Sequence, residues 1–145
     1  ALKTRRDLDR ILDAFGSGET GILVGTQLVA KGLDFDNVGL VGIIAADVTL
    51  NIPDYRSSER TFQLITQAAG RAGRGERQGK VIIQTYEPDN YSIDAACRHD
   101  YESFFSREIA LRELMNYPPF SDLIMVNFTA EDDETAVFWG ERCRR

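Results

Sequence analysis

Three short apolar runs without period-two alternation constrain the fold more than any other feature of the chain. Residues 22–24 (ILV), 38–46 (VGLVGIIAA) and 80–86 (KVIIQTY) are rich in β-branched and other apolar residues. A strand that is apolar on both sides needs cover on both sides, and such strands occur where helices pack on a parallel sheet. The stretches between them have a different period. Leu8, Ile11, Leu12 and Phe15 fall at i, i+3, i+4 and i+7, one helical stripe with Thr4 as its N-cap and Gly16 as its stop. Residues 56–71 repeat that pattern with Phe62 and Ile65 inward. The order helix, strand, strand, helix, strand predicts an α/β layer around a mostly parallel sheet.

Beyond Pro88, residues 91–98 and 100–116 read as two helices. The run 117–120 (YPPF) breaks the pattern and marks the expected boundary between domains 1–116 and 117–145. Residues 123–129 alternate well enough for a strand, and 131–134 form an acidic turn leading into a helix.

With 145 residues, the chain has the length of about one domain. It has no apolar run near the roughly 18 residues of a membrane span. The opening ALKTRRDLDR has no apolar signal core, and Cys97 and Cys143 lack CxxC spacing. A reducing cytoplasm is the expected compartment, and no metal site is expected from these thiols or from the lone His99. The net charge of −6 is unevenly placed: residues 86–145 hold thirteen acids and six bases, whereas 21–85 hold six acids and seven bases. A protein that coats nucleic acid non-specifically is disfavoured, but a local anion site in the middle is not.

Two segments could build such a site. Gly25-Thr26-Gln27 follows the first apolar run, and Lys31-Gly32-Leu33-Asp34 lies just beyond. A glycine at the carboxyl end of a strand lets backbone N–H groups approach a phosphate, and a threonine hydroxyl adds a hydrogen bond. A tight strand-to-helix turn capped by Thr26 explains the same residues. The second segment is stronger. Gln67, Arg71 and Arg74 stand at i, i+4 and i+7, an amide and two guanidiniums on one helical stripe. Gly70 and Gly73 each weaken a helix by roughly 1 kcal/mol relative to alanine. Planar guanidiniums beside bare backbone suit a polyphosphate. A solvated basic helix end would explain the arginines but not the glycines.

GTQLVAKGLDF (residues 25–35) resembles motif V, and QAAGRAGR (residues 67–74) resembles motif VI, of the superfamily 2 helicases. The text around them, VGLVGIIAADVTLNIPDYRSSERTFQLITQ and GKVIIQTYEPDNY, is similar to the bacterial replication-restart helicases, as is the later ELMNYPPFSDLIMV. The resemblance implies that residues 1–116 are most of the second RecA-like lobe, incomplete at its N-terminal edge. It implies that 117–145 begin an α+β C-terminal domain. Gln67, Arg71 and Arg74 then match the catalytic motif VI positions that reach the γ-phosphate of ATP, with Gly70 beside them. Gly25, Thr26, Gln27 and Lys31 match the motif V contacts to the tracked DNA strand. Asp34 and Gly32 match the positions that couple this contact to the nucleotide.

The chain has no GxxxxGK[ST] phosphate loop and no placeable Asp-Glu magnesium pair. By the resemblance, ATP and magnesium would be held through the first lobe. The family's zinc sites need more cysteines than this chain has. The resemblance further implies single-stranded and forked DNA, primosome proteins and single-strand-binding protein as partners. Two other readings stay open: a different superfamily 2 DNA translocase, and a non-catalytic nucleic-acid- or protein-binding module.

Overall fold

A computed structural model describes residues 5–26, 35, 38–72 and 79–143. They form two compact units, Ala1–Ala110 and Leu111–Arg145. In the first unit the order is α1 (Arg5–Gly16), β1 (Leu40–Ile43), α2 (Asp47–Leu50), α3 (Ser57–Ala69), β2 (Lys80–Ile83) and α4 (Tyr91–Cys97). Helix α5 (Tyr101–Leu114) continues into the second unit, which also holds α6 (Asp133–Cys143).

The α/β class and the parallel pairing follow the expectation. β1 and β2 pair in parallel from Leu40 opposite Lys80 to Ile43 opposite Ile83. Parallel neighbours need a crossover, and α3 provides it. Its inward residues Phe62 and Ile65 are buried, Ile65 completely. They meet Ile93 and Ala96 of α4 and Phe104 of α5 in one core, with Ile43 and Ile83 packed against it. The rings of Phe62 and Phe104 stack at 4.3 Å. Burying a side chain the size of Ile65 stabilises by about 1.5–3 kcal/mol. Asn90 caps α4 by accepting the Ser92 N–H at 3.1 Å.

Several local expectations differ. Residues 22–24 are not strand, and Ile22 and Val24 are 83% and 88% exposed. Residues 123–129 are not strand either. An apolar or alternating run becomes a strand only where a neighbour pairs its N–H and C=O groups, and composition does not supply that neighbour. The two paired strands are also covered on one face only. Ile43 and Ile83 pack against the core and Val41 and Val81 are half-buried, whereas Leu40 and Ile82 are exposed. The first helix runs through Gly16, and the chain turns at Gly18, which takes φ 80°. Only glycine adopts that conformation without strain. The Thr4 cap and the residues that follow Thr26 in its expected strand-to-helix turn lie outside the described residues. The single turn α2 is an element the apolar periodicity did not reveal.

In the second unit, Asp132 starts α6 by accepting the Thr135 N–H at 2.8 Å and its hydroxyl at 2.9 Å. None of the residues of α6 is buried. Phe138 and Trp139 meet edge to face at 5.5 Å.

Candidate nucleotide and nucleic-acid site

Helix α3 carries the stronger candidate at its carboxyl end. It winds regularly to Gly70, whose N–H donates to the Thr66 carbonyl at 3.0 Å. The next two bonds tighten: Arg71 N–H reaches Ala68 and Ala72 N–H reaches Ala69, each at 3.1 Å. Ala68 is buried on the core side, while Gln67 and Gly70 are exposed and Arg71 is half-buried. The helix thus buries Ala68 and exposes Gln67, and the turn that follows it exposes Gly70 beside the half-buried Arg71.

Gly70 itself is informative. Its φ of −64° is ordinary helix, which any residue adopts. A Cβ built there meets only the Thr66 and Gln67 carbonyl oxygens, at 3.5 and 3.6 Å, which is ordinary contact. Among the described residues, neither backbone geometry nor crowding requires glycine at this place. One residue before Gln67, the buried Thr66 hydroxyl has no hydrogen-bond partner among the described residues. An unmade buried hydrogen bond costs about 1–3 kcal/mol. Sequence reasoning did not single out Thr66, and a threonine in a helix interior carries no signal that would have done so.

Gly25 and Thr26 are exposed, in a stretch without regular structure. Gln27, Lys31, Gly32 and Asp34, like Gly73 and Arg74, lie outside the described residues.

The amino end of α3 has a different chemistry. Asp54 accepts the Arg56 N–H at 2.9 Å and pairs with the Arg60 guanidinium at 2.8 Å. The Arg56 N–H, with Arg60 and Arg56 charge behind it, holds this carboxyl below its ordinary value. Ser57 donates its hydroxyl to Ile52 and Asp54 carbonyls, at 2.5 and 2.7 Å. Asp47, buried at the carboxyl end of β1, accepts the Thr85 hydroxyl and the Tyr86 N–H at 3.1 Å from both of its oxygens. The Thr85 hydroxyl first, then the Tyr86 and Glu87 N–H groups, hold it below the usual carboxylate range against the opposing effect of burial. This clamp ties the ends of β1 and β2 together, and no spacing in the sequence announces a contact between residues 47 and 85. Among the described residues no group of three His, Cys, Asp or Glu could hold a metal ion. No helix among them is long and apolar enough to cross a membrane.

Residues 2–76 match the helicase conserved C-terminal domain, and the chain belongs to that family. The match spans both candidate segments. The chain is also similar to the "Replication restart protein PriA" of Bacillus subtilis, with 52% identity over 134 residues, 92% of this chain and 17% of that protein. The protein of the same name from Synechocystis is 53% identical over 116 residues, covering 80% of this chain and 14% of that protein. The one from Thermotoga maritima is 44% identical over 128 residues, 88% and 17% respectively. The chain thus spans about a sixth of the length of these curated relatives.

Proposed function

We propose that this chain is part of the motor of an ATP-dependent DNA helicase that restarts stalled replication forks, coupling ATP hydrolysis to translocation on single-stranded DNA. Residues 1–116 are the second RecA-like lobe, and 117–145 begin a C-terminal domain. The observation that carries the reading is Gly70: a glycine that neither its φ nor its contacts among the described residues require, between an exposed glutamine and an arginine. A ligand approaching the backbone explains it, and the identity to the replication-restart proteins supports which ligand.

The donors at this end suit phosphate oxygens rather than a metal. Arg71 and Arg74 stabilise charge on the γ-phosphoryl group as water attacks the phosphorus and the bond to ADP breaks. Gln67 orients groups on the same stripe. Magnesium, when bound, neutralises charge on the β- and γ-phosphates. Gly25, Thr26, Gln27 and Lys31 hold the DNA backbone, and Asp34 and Gly32 link that contact to the nucleotide. Forked DNA, primosome proteins and single-strand-binding protein are the partners of this role, and the cytoplasm is its compartment.

The test is Arg74→Ala in the full-length protein. An arginine acting on charge developed in the transition state contributes about 10³–10⁵ in rate. Turnover at saturating ATP and DNA falls by that order, while ATP binding changes little. Near-normal turnover would overturn the assignment.

A further inference from the structure

The edge where β1 and β2 end carries groups that the two motifs do not account for. Ala45 adopts φ 51°, a left-handed conformation that strains a side chain, and turns the chain out of β1 toward Asp47. The Asp47 carboxylate then holds the main chain of Tyr86 through both oxygens. Thr85 completes the lock by donating to Asp47 and accepting the Glu87 N–H at 2.9 Å. Yet the side chain of Tyr86 is 89% exposed. A tyrosine normally covers most of its ring, and here the fold fixes the backbone and leaves the ring in water.

The same edge continues into the next loop through a run of hydrogen bonds. Asn51 N–H donates to the Asp47 carbonyl at 3.1 Å, Ile52 N–H to Thr49 at 3.3 Å, and Ser57 Oγ to Ile52 at 2.5 Å. Helix α3 therefore starts at the edge where the strands end, and runs back to join β2. Arg56 stands at that start. It is exposed, and its guanidinium lies 4.9 Å from the centroid of the Tyr55 ring. Asp54 gives its ion pair to Arg60. The Arg56 guanidinium rests on an aromatic face, and its charge also acts on the Asp54 carboxyl.

An exposed ring on a backbone fixed beyond β2 and an exposed, pre-stacked guanidinium at the start of α3, both on the side where the strands end, are the elements of a single-strand contact: ring on base, cation on phosphate. Ligands of α/β sheets bind outside the carboxyl ends of the strands. Glu87 and Asp89 follow Tyr86, so this ring serves a base, and the phosphate contact falls to Arg56. We propose that Tyr86 and Arg56 form a second contact for single-stranded DNA at this edge, Tyr86 stacking on a base and Arg56 meeting the backbone. The proposal rests on the reading of the chain as part of a DNA translocase and adds to it residues outside both motifs.

The test compares binding of a short oligo(dT) by the full-length protein and its variants, across a salt series. Tyr86→Ala weakens binding about tenfold, as loss of one stacked base does. Tyr86→Phe binds as the wild type does. Arg56→Ala lowers the salt slope by about 0.7, the value for one single-strand phosphate. If Tyr86→Ala binds as the wild type while Thr26→Ala binds more weakly, this proposal falls and the translocase reading stands. If the wild type does not bind oligo(dT), both fall. Should Tyr86→Ala lower the melting temperature, photocrosslinking of the wild type to an oligonucleotide carrying 5-iodouracil decides. An adduct at Tyr86 supports the contact, and its absence overturns it.

Discussion

The two ends of α3 are built on opposite terms. At the amino end, Asp47, Asp54 and Ser57 accept or donate into their own loop and strands, and Arg60 is held in an ion pair. At the carboxyl end, Gly70 has room for a side chain it does not carry, Gln67 is exposed, and the Thr66 hydroxyl is unpartnered among the described residues. Thirteen residues at about 1.5 Å each set these ends roughly 20 Å apart. One helix thus joins a region whose carboxylates and hydroxyl are engaged by the fold to one that presents an exposed amide beside a glycine. Substitution of Asp47, Asp54 or Ser57 is therefore expected to change stability, and substitution at the carboxyl end is expected to change turnover.

The largest effect is expected from Arg71→Ala in the full-length protein. Turnover falls by about 10³–10⁵, as for Arg74, while the melting temperature stays near that of the wild type. A fall in melting temperature with intact turnover would erase the contrast between the two ends.

Asp47→Asn tests the other side. It removes the charge that accepts the Thr85 hydroxyl and the Tyr86 N–H, so the melting temperature drops while turnover at saturating DNA survives below the transition. The pH dependence has a defined sign. A carboxyl held below its ordinary value of 3.8 stabilises the fold fully above that value. The contribution fades as the pH falls through the lowered folded value. Thermal melts between neutral and acid pH should show the wild type losing more stability on acidification than Asp47→Asn does. Parallel curves would remove Asp47 from the account.

Gly70→Ala sharpens the comparison most, because its two effects have opposite signs. With φ at −64° and only ordinary contacts awaiting the new methyl group, it raises stability by about 0.4–1 kcal/mol. Turnover nonetheless falls, because the methyl group occupies the approach to the backbone. A stabilised variant with full turnover would return Gly70 to an accident of sequence.

The smallest effect belongs to Thr26→Ala. One hydroxyl-to-phosphate bond contributes about 0.5–1.5 kcal/mol, somewhat more with a charged partner. The DNA concentration for half-maximal ATPase rises several-fold, without change in sequence preference. If Thr26 merely caps the following turn, the melting temperature falls instead and the DNA midpoint does not move.

Much of this was legible without coordinates. The helix carrying Gln67, its inward Phe62 and Ile65, and the parallel α/β class depend on local period and residue chemistry, which the linear order carries, whereas Arg71 lies in the turn two residues past the end of that helix. The helicase family rests on the same segments. The pairing state of residues 22–24 and 123–129 was not legible, because a strand is a relation between two segments and composition describes only one. The same holds for the one-sided cover of β1 and β2. Only the tertiary structure brought Asp47 to Thr85 and Tyr86 across 38 and 39 residues of chain. A hydrogen bond depends on distance in space, and a sequence read along its length holds no record of which distant carboxylate and hydroxyl the packing of Ile65, Ile93 and Phe104 will bring within reach.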